Sequence, residues 1–355
     1  MNRVSQAYAG PIEDSVHKIF RDKDYLNSKK FINIEATRTN SKFVIPNLRP
    51  LDAIQFLGNQ AISKKYNNAG YMLYENSLGF HFRSIESMLA MNGEYARPAS
   101  FDYKYTIVRK PDGGLDVEND LTSAIKYEFL KPANTLHNMR EGMYANRLVL
   151  HDMFHKTIKT HDYNYFVDFN QHFHTENDKQ NKAALKGVTP FAKFEDTGKD
   201  LGSTPLSKLM TMCDNQKVHN DYEFPLLKDT IQNRLSQRVS LNNVQLNLRV
   251  YGNSLLHTGD IINFYMPLMR PNTEQANPYW GGRYLITAIR HEISVIDKRY
   301  EMYVRCMKDA VKTELPIEIA NPTVVETPQY TAYNDIYSAD ERMLNDTTIL
   351  DRSES

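Results

Sequence analysis

Several things are scarce in this chain, and each scarcity removes a class of protein. Of 355 residues only two are cysteine, Cys213 and Cys306, far apart in sequence. That usage fits reduced thiols in a cytoplasm better than a disulfide framework. There is no charge of either sign to spare: Lys+Arg and Asp+Glu both number 43, so no basic footprint for nucleic acid exists. No apolar run approaches the roughly 20 residues needed to span a bilayer, and the opening MNRVSQAYAGPIED lacks a signal-peptide core. These absences predict a soluble protein made in a cytoplasm. The glycine pairs Gly113-Gly114 and Gly281-Gly282 lack the following Lys-Ser/Thr and the strand, loop and helix setting of a phosphate cradle, so they read as turns. There is no G-x-S-x-G elbow, neither cysteine sits in a nucleophile signature, and no repeat of 20 to 50 residues is visible.

What is present is a Tyr-rich globular composition, with 22 Tyr and 16 Phe in a chain long enough for two or three domains. The clearest patterning lies between Leu241 and Asp309. Val244, Leu246, Leu248 and Val250 alternate with Gln245, Asn247 and Arg249, the period of a strand with one wet face and one buried face. Turn chemistry at Gly252-Asn253 and Thr258-Gly259-Asp260 leads to a second apolar row, Ile262, Phe264 and Met266. Leu285, Thr287, Ile289, Ile293 and Val295 are expected on one face of a third strand, and Met302, Val304 and Cys306 on one face of a fourth. Four strands with little intervening helix predict an antiparallel sheet or small barrel.

Upstream, the pattern predicts a small α/β domain over 1–135. A helix near 11–21 carries Pro11 in its first turn, Glu13 and Asp14 at its positive end, and the stripe Ile12, Val16, Ile19 and Phe20. A second helix near 50–66 starts at Pro50 and presents Leu51, Ile54, Leu57 and Ala61. An aromatic hairpin covers 71–83, and Asp120 to Phe129 reads as a helix ending before Pro132. Residues 136–310 are expected to form an antiparallel β-barrel, beginning with strands at Leu148, Leu150, Tyr163, Tyr165 and Val167. It would carry a surface insertion over 175–203 and a capping helix near 226–239 whose stripe is Leu227, Ile231, Leu235 and Val239. Residues 311–355 are proline-punctuated and then acidic, six acids facing two arginines after Asn334, and predict an extended tail. The fold class is thus α+β, a helix and hairpin domain followed by a β-barrel.

Candidate chemistry is thin. His151-Asp152-Met153-Phe154-His155 has the spacing of a zinc helix, but on a strand i and i+4 lie roughly 13 Å apart, too far for one metal. His172 and His174 are the metal candidates of the chain, since i and i+2 share a strand face and Glu176 lies within reach. No other ligand is tied to them by spacing, and a polar strand end is the plainer reading. The pairs Glu13-Asp14 and Asp260 with Glu292 are explained by a helix end and a turn better than as glycosidase acids. Tyr163, Tyr165, Phe173, Tyr265 and Tyr284 suit a subunit interface or an ordinary β-core equally.

The succession LRVYGNSLLHTGDIINFYMP, GGRYLITAIRHEI and YEMYVRCMKD, preceded by AYAGPIEDSVHKIF, FVIPNLRPLDAIQFL and YMLYENSLGFHFRSIESML, resembles the baseplate central hub subunit of T-even-type contractile-tailed phages. The resemblance is one of order and spacing: a glycine turn, a Gly-Asp pair, a Gly-Xaa-Tyr-Leu-Ile strand, a His and a terminal Lys-Asp. It implies a structural virion protein of the tail baseplate, assembled in the host cytoplasm, without cofactor or enzymatic activity. It also implies a homotrimeric ring joining the tail tube, or its initiator, to the central spike or lysozyme protein, with wedge proteins as further neighbours and no membrane or sequence-specific nucleic acid as partner. Hub subunits carry another barrel before the point where AYAGPIED begins here. It is missing, supplied by another polypeptide, or absent from a shortened branch. The alternative expectation is a tail-tip cell-wall hydrolase or metal-dependent peptidase, and a third is a carbohydrate-binding tail protein.

Overall fold

Sixteen short strands and a few helices carry the chain, which a computed structural model describes over residues 2–38, 40–90, 101–105, 122–152, 156–176, 189–192, 201–212, 228–266 and 277–311. The strands are β1 Ala7–Pro11, β2 Ile32–Ile34, β3 Asn40–Val44, β4 Tyr71–Asn76, β5 Gly79–Ser84, β6 Phe101–Lys104, β7 Ala124–Lys131, β8 Ala145–Asp152, β9 Thr157–Asn164, β10 Thr189–Pro190, β11 Ser207–Met212, β12 Val244–Tyr251, β13 Ile261–Tyr265, β14 Gly282–Ser294, β15 Arg299–Lys308 and β16 Ala310–Val311. The described residues all fall within one compact unit, residues 1–314. The expected acidic tail, most of the insertion and Cys213 lie outside the described residues.

The N-terminal elements follow the sequence reading closely. Helix α1, Ile12–Arg21, starts after the extended Pro11, carries Glu13 and Asp14 in its first turn and Lys18 and Arg21 in its last, and buries Ile12, Val16, Ile19 and Phe20. Helix α2, Pro50–Gly58, is shorter than expected and leaves Leu51 exposed. Beyond Gly58 the chain is drawn into the bridges Thr37–Ser63 and Ile62–Ala69, which a continuing helix cannot make. The hairpin β4–β5 forms where expected, with β2 parallel to β5 on its other side. Helix α3, Ile85–Leu89, then begins at Ser84, whose side chain accepts from Ser87 N.

The organising element is a curled sheet of six strands in the order β6-β13-β14-β15-β12-β7. On β12, Val244, Leu246, Leu248 and Val250 are all buried, as the alternation required, and pair antiparallel with β15 so that Leu248 faces Val304. Residues of β7 and β12 are likewise in register, Leu248 with Tyr127. The helix expected over Asp120 to Phe129 is therefore a strand from Ala124 onward. Its Tyr127 and Phe129 pack against Phe264 and Trp280, and this cross-sheet burial outweighs the local helical preference. Since β6 and β7 both precede residue 135 and belong to this sheet, the expected domain boundary there cuts through it.

A closed antiparallel barrel is not what the described residues form. β6 runs parallel to β13, and β6 and β7 are not paired with each other as strands, an isolated parallel bridge from Lys104 to Ser123, just before β7, being the link between the two sides. The strands at 145–164, expected to start the barrel, pair instead with β11 in a separate sheet of order β11-β8-β9. Tyr165 and Val167 do not continue β9. Asn164 ends the strand and caps the short helix Tyr165–Asp168, its Oδ1 accepting from Phe166 N at 3.0 Å and Val167 N at 3.4 Å. The expected face of β14 also changes. A bulge between Ile286 and Ala288 switches its parity, so Tyr284 and Ile286 point into the main core, Leu285 points away from it, and Ile289 returns.

The helix expected near 226–239 is helical from Lys228 to Leu241, first as a π turn and then as the α-helix Asn233–Leu241. Its buried face is largely polar, with Gln232, Ser236, Gln237 and Ser240 replacing the stripe predicted from Ile231 and Leu235. Rather than cap a barrel mouth it ties regions together: Ser236 Oγ donates to Met143 O at 2.7 Å and Gln232 Nε2 to His161 O at 3.0 Å.

Candidate functional site

A cluster of buried charge among the described residues surrounds the strap His172–Glu176, a segment the sequence reading placed on a strand and at the edge of a surface loop. It follows a 3₁₀ turn, Phe169–Gln171, leaves it extended at His172, turns at Thr175 and Glu176, and is not paired in a sheet. Thr175 and Glu176, the first two residues of the expected surface excursion, are 0% and 2% exposed and so lie inside the protein. The strap is pinned because each of its polar side chains meets an opposite group from a different element.

Glu86 of α3 accepts a hydrogen bond at 2.7 Å from Asn68 Nδ2, and its Oε1 lies 2.7 Å from His172 Nδ1. Phe173 packs edge-on against Tyr66, centroids 5.6 Å apart. His174 points elsewhere: its Nδ1 lies 2.8 Å from Asp309 Oδ2, its Nε2 lies 2.9 Å from Phe169 O, and its ring stacks on Phe169. Both nitrogens face acceptors, and both contacts are hydrogen bonds at once only when each nitrogen carries a proton. Thr175 donates to Asp309 Oδ1 from its backbone N at 2.9 Å and its hydroxyl at 2.7 Å. Burial pushes the Asp309 carboxyl up, but the His174 charge and hydrogen bond and the Thr175 donors outweigh it, holding the group below the usual aspartate value.

Glu176 pairs with Lys308 and accepts from Arg283 N at 3.1 Å. Lys308 is fully buried, donates to Gly281 O at 2.5 Å and stands 5.3 Å over the Tyr284 ring. Gly282 has a φ of +107°, and a Cβ there would lie 2.0 Å from Glu176 Oε1, so the close approach of β14 to the strap requires glycine. Lys308-Asp309 thus grips one acid of the strap, Glu176, and one base, His174, with Thr175 between them. Sequence parity carried a signal of this: Lys308 continues the inward row Met302, Val304, Cys306. Glu86 and Asn68 had no such signal.

The geometry separates the two metal candidates. His172 and His174 hold different carboxylates, and among the described residues no group of three or more His, Cys, Asp or Glu is arranged to hold a metal ion. His151 lies on β8 opposite Ile158, while residues 153–155 of that motif lie outside the described residues. Glu13 accepts from Thr37 N at 3.1 Å, and Asp260 closes its turn by accepting from His257 N at 2.9 Å. Glu292 belongs to an ionic ladder on the sheet's outer face, 3.4 Å from Arg299, which stands 3.5 Å from Glu301. Glu301 in turn pairs with Arg249 at 2.5 Å. Arg249 and Arg290 both lie over the Tyr303 ring. Of the five aromatics, Tyr163, Tyr165, Phe173 and Tyr284 are core residues, and Tyr265 is 36% exposed. Burial pushes the Cys306 thiol up. Gly113-Gly114 lies outside the described residues, and Gly281 closes a turn by donating from its N to Asn277 O at 2.9 Å.

Two surface features stand out. The β14–β15 hairpin runs past the core, and at its tip Ile293, Val295 and Ile296 are 69%, 86% and 94% exposed. The edge of β14 beyond Ile286 has no partner strand among the described residues. No helix among the described residues is long and apolar enough to cross a membrane.

No protein-family model matches the chain, and no curated protein matches it. Solved structures similar to it include a tail protein from Neisseria meningitidis MC58, at 9% identity and a TM-score of 0.43. Another is the 43 kDa tail protein of prophage MuSo2 from Shewanella oneidensis, at 8% identity and a TM-score of 0.45. In both cases the match covers 87% of this chain and 69% of the other.

Proposed function

We propose that the chain is a structural subunit of a contractile phage tail, a baseplate hub protein that assembles as a trimeric ring between the tail tube and the central spike. The observation that carries the reading is the placement of the hub-like succession. LRVYGNSLLHTGDIINFYMP, GGRYLITAIRHEI and YEMYVRCMKD are consecutive strands of one sheet, and the terminal Lys-Asp clamps that sheet to the strap. Each charged residue of the clamp meets an opposite charge or a hydrogen-bond partner inside the protein, an arrangement that holds elements in place.

The surface supports the same reading. An overhanging hairpin with an apolar tip and an unpaired strand edge are the features by which a subunit is held by neighbours. Partners on this proposal are further copies of the chain, a spike protein and the tube or its initiator, with wedge proteins at the periphery, and the protein resides in the virion baseplate.

Light scattering or mass photometry of the full chain tests it. A stable trimer, or one that forms when a spike protein is added, is the expected result. A monomer indifferent to tail components overturns it.

A further inference from the structure

We propose that the free edge of β14, residues 288–294, docks a second copy of the same chain, strand against strand and antiparallel across a twofold axis at His291. The proposal goes beyond the hub reading and does not rest on it. A twofold contact joins two subunits, or two rings, and does not close a ring of three. The edge is open over the required length. β13 and the turn before it cover β14 as far as Ile286, whose N donates to Asp260 O and whose O accepts from Gly259 N, both at 2.9 Å. From there to Ser294, β14 is paired only with β15 among the described residues, so its other edge offers a row of backbone donors and acceptors. β12 accompanies β15 no further than Glu301, and beyond that point the hairpin is a two-stranded overhang.

Backbone groups alone would accept any strand, and it is the side chains that select this one. In an antiparallel copy centred on His291, Arg290 stands opposite the partner's Glu292 and Glu292 opposite the partner's Arg290. Ile289 then meets Ile293, and Ala288 meets Ser294. Each of these pairings answers something a single subunit leaves undone. The Arg290 side chain is 78% exposed and comes only within 4.0 Å of its own Glu292. On its β15 side Glu292 faces Glu301, a like charge, with Arg299 between them. Ile293 is exposed on the face to which Ile289 belongs. A parallel copy in the same register would set Arg290 against Arg290 and Glu292 against Glu292, which opposes it. Shape agrees with the antiparallel order, which places each hairpin tip beside the other subunit's Ile286. The overhangs then overlap while the two bodies stay at opposite ends, and the exposed Val295 and Ile296 come alongside the partner. The contact is short beside the ~800 Å² per partner of a stable complex, so pairing in the micromolar range or weaker is expected.

Disulfide crosslinking of the full chain tests it, in a Cys213→Ser background whose remaining Cys306 is buried. His291→Cys should crosslink to itself under mild oxidation. Ala288→Cys and Ser294→Cys should each fail alone, because like positions lie roughly 20 Å apart at about 3.3 Å per residue, yet crosslink when the two variants are mixed. The mixture separates the twofold from a ring contact, since His291 beside a threefold axis would also meet its own copies. Sedimentation equilibrium reads the charges. Arg290→Glu or Glu292→Arg should weaken pairing at least about tenfold, and the double exchange, which restores opposite charges, should return it to within about threefold of the parent. The proposal is overturned if the mixed Ala288→Cys and Ser294→Cys variants do not crosslink, the result for an edge covered by another segment or by a different partner. It is equally overturned if the double exchange pairs no better than the single reversals.

Discussion

Replacing Lys308 by methionine keeps the length and apolar stem of the side chain while removing the ammonium that faces Glu176 at full burial. The carboxylate then remains inside, bonded to Arg283 N but without its opposite charge, and the contact with Gly281 O is lost as well. Breaking one half of a buried pair costs about 3–5 kcal/mol, because the remaining charge stays desolvated. At about 2–4 °C per kcal/mol that corresponds to a fall in Tm of roughly 6–20 °C. The double variant Lys308→Met/Glu176→Leu removes both charges and should recover most of the loss, leaving about 1 kcal/mol for the unserved Arg283 N–H. Urea or thermal unfolding of the parent, both single variants and the double variant closes a mutant cycle in which the double loss is expected to fall several kcal/mol short of the sum of the two single losses. A loss below about 1 kcal/mol in Lys308→Met refutes the clamp, since it means the pair is open to water. A double variant no more stable than Lys308→Met refutes the charge argument and leaves only packing.

Four other outcomes follow from the same geometry. The folded Asp309 carboxyl titrates below its unfolded value, so its contribution is fully present above about pH 4, the unfolded range. It is lost as pH falls through the lower, folded value, and Asp309→Asn should flatten that part of the stability profile measured by urea unfolding at pH 2–6. In a Cys213→Ser background, Cys306 should be inert to Ellman's reagent in the native protein and react at the rate of global unfolding, since it is fully buried and its thiol is pushed up. Gly282→Ala places a methyl group against Glu176 at a positive φ, and a loss of at least about 2 kcal/mol in denaturant unfolding is expected. Val295→Ser with Ile296→Ser should leave Tm within about 1 °C while weakening self-association in light scattering, because both side chains touch little within the subunit.

Legibility differed sharply between kinds of element. The amphipathic stripe of α1, the strict alternation of β12 and the turn chemistry around β4–β5 were readable because each buries one face at a local period. The segment Ala124–Lys131 was misread as helix because a proline after a mixed run looks like a helix end. What decided it was β12, more than a hundred residues away, offering an edge to pair with. On β14 the bulge at Thr287 shifted the inward row by one residue, a change no alternation count reveals. The His172 and His174 spacing suggested a shared face, and capping by Asn164 turned the chain away from strand geometry just before them.

By itself, then, the sequence determined the local periods: which faces of α1 and β12 are apolar, where the turns around β4–β5 and β12 fall, and that Lys308 has the parity of a core position. Pairing partners, the open curled sheet in place of a closed barrel, and the distribution of Glu86, Glu176 and Asp309 among three cations or donors were decided only by the tertiary structure. The physical reason is range. A periodic pattern acts over a few residues, whereas a buried charge is tolerable only beside an opposite group that folding brings from elsewhere in the chain.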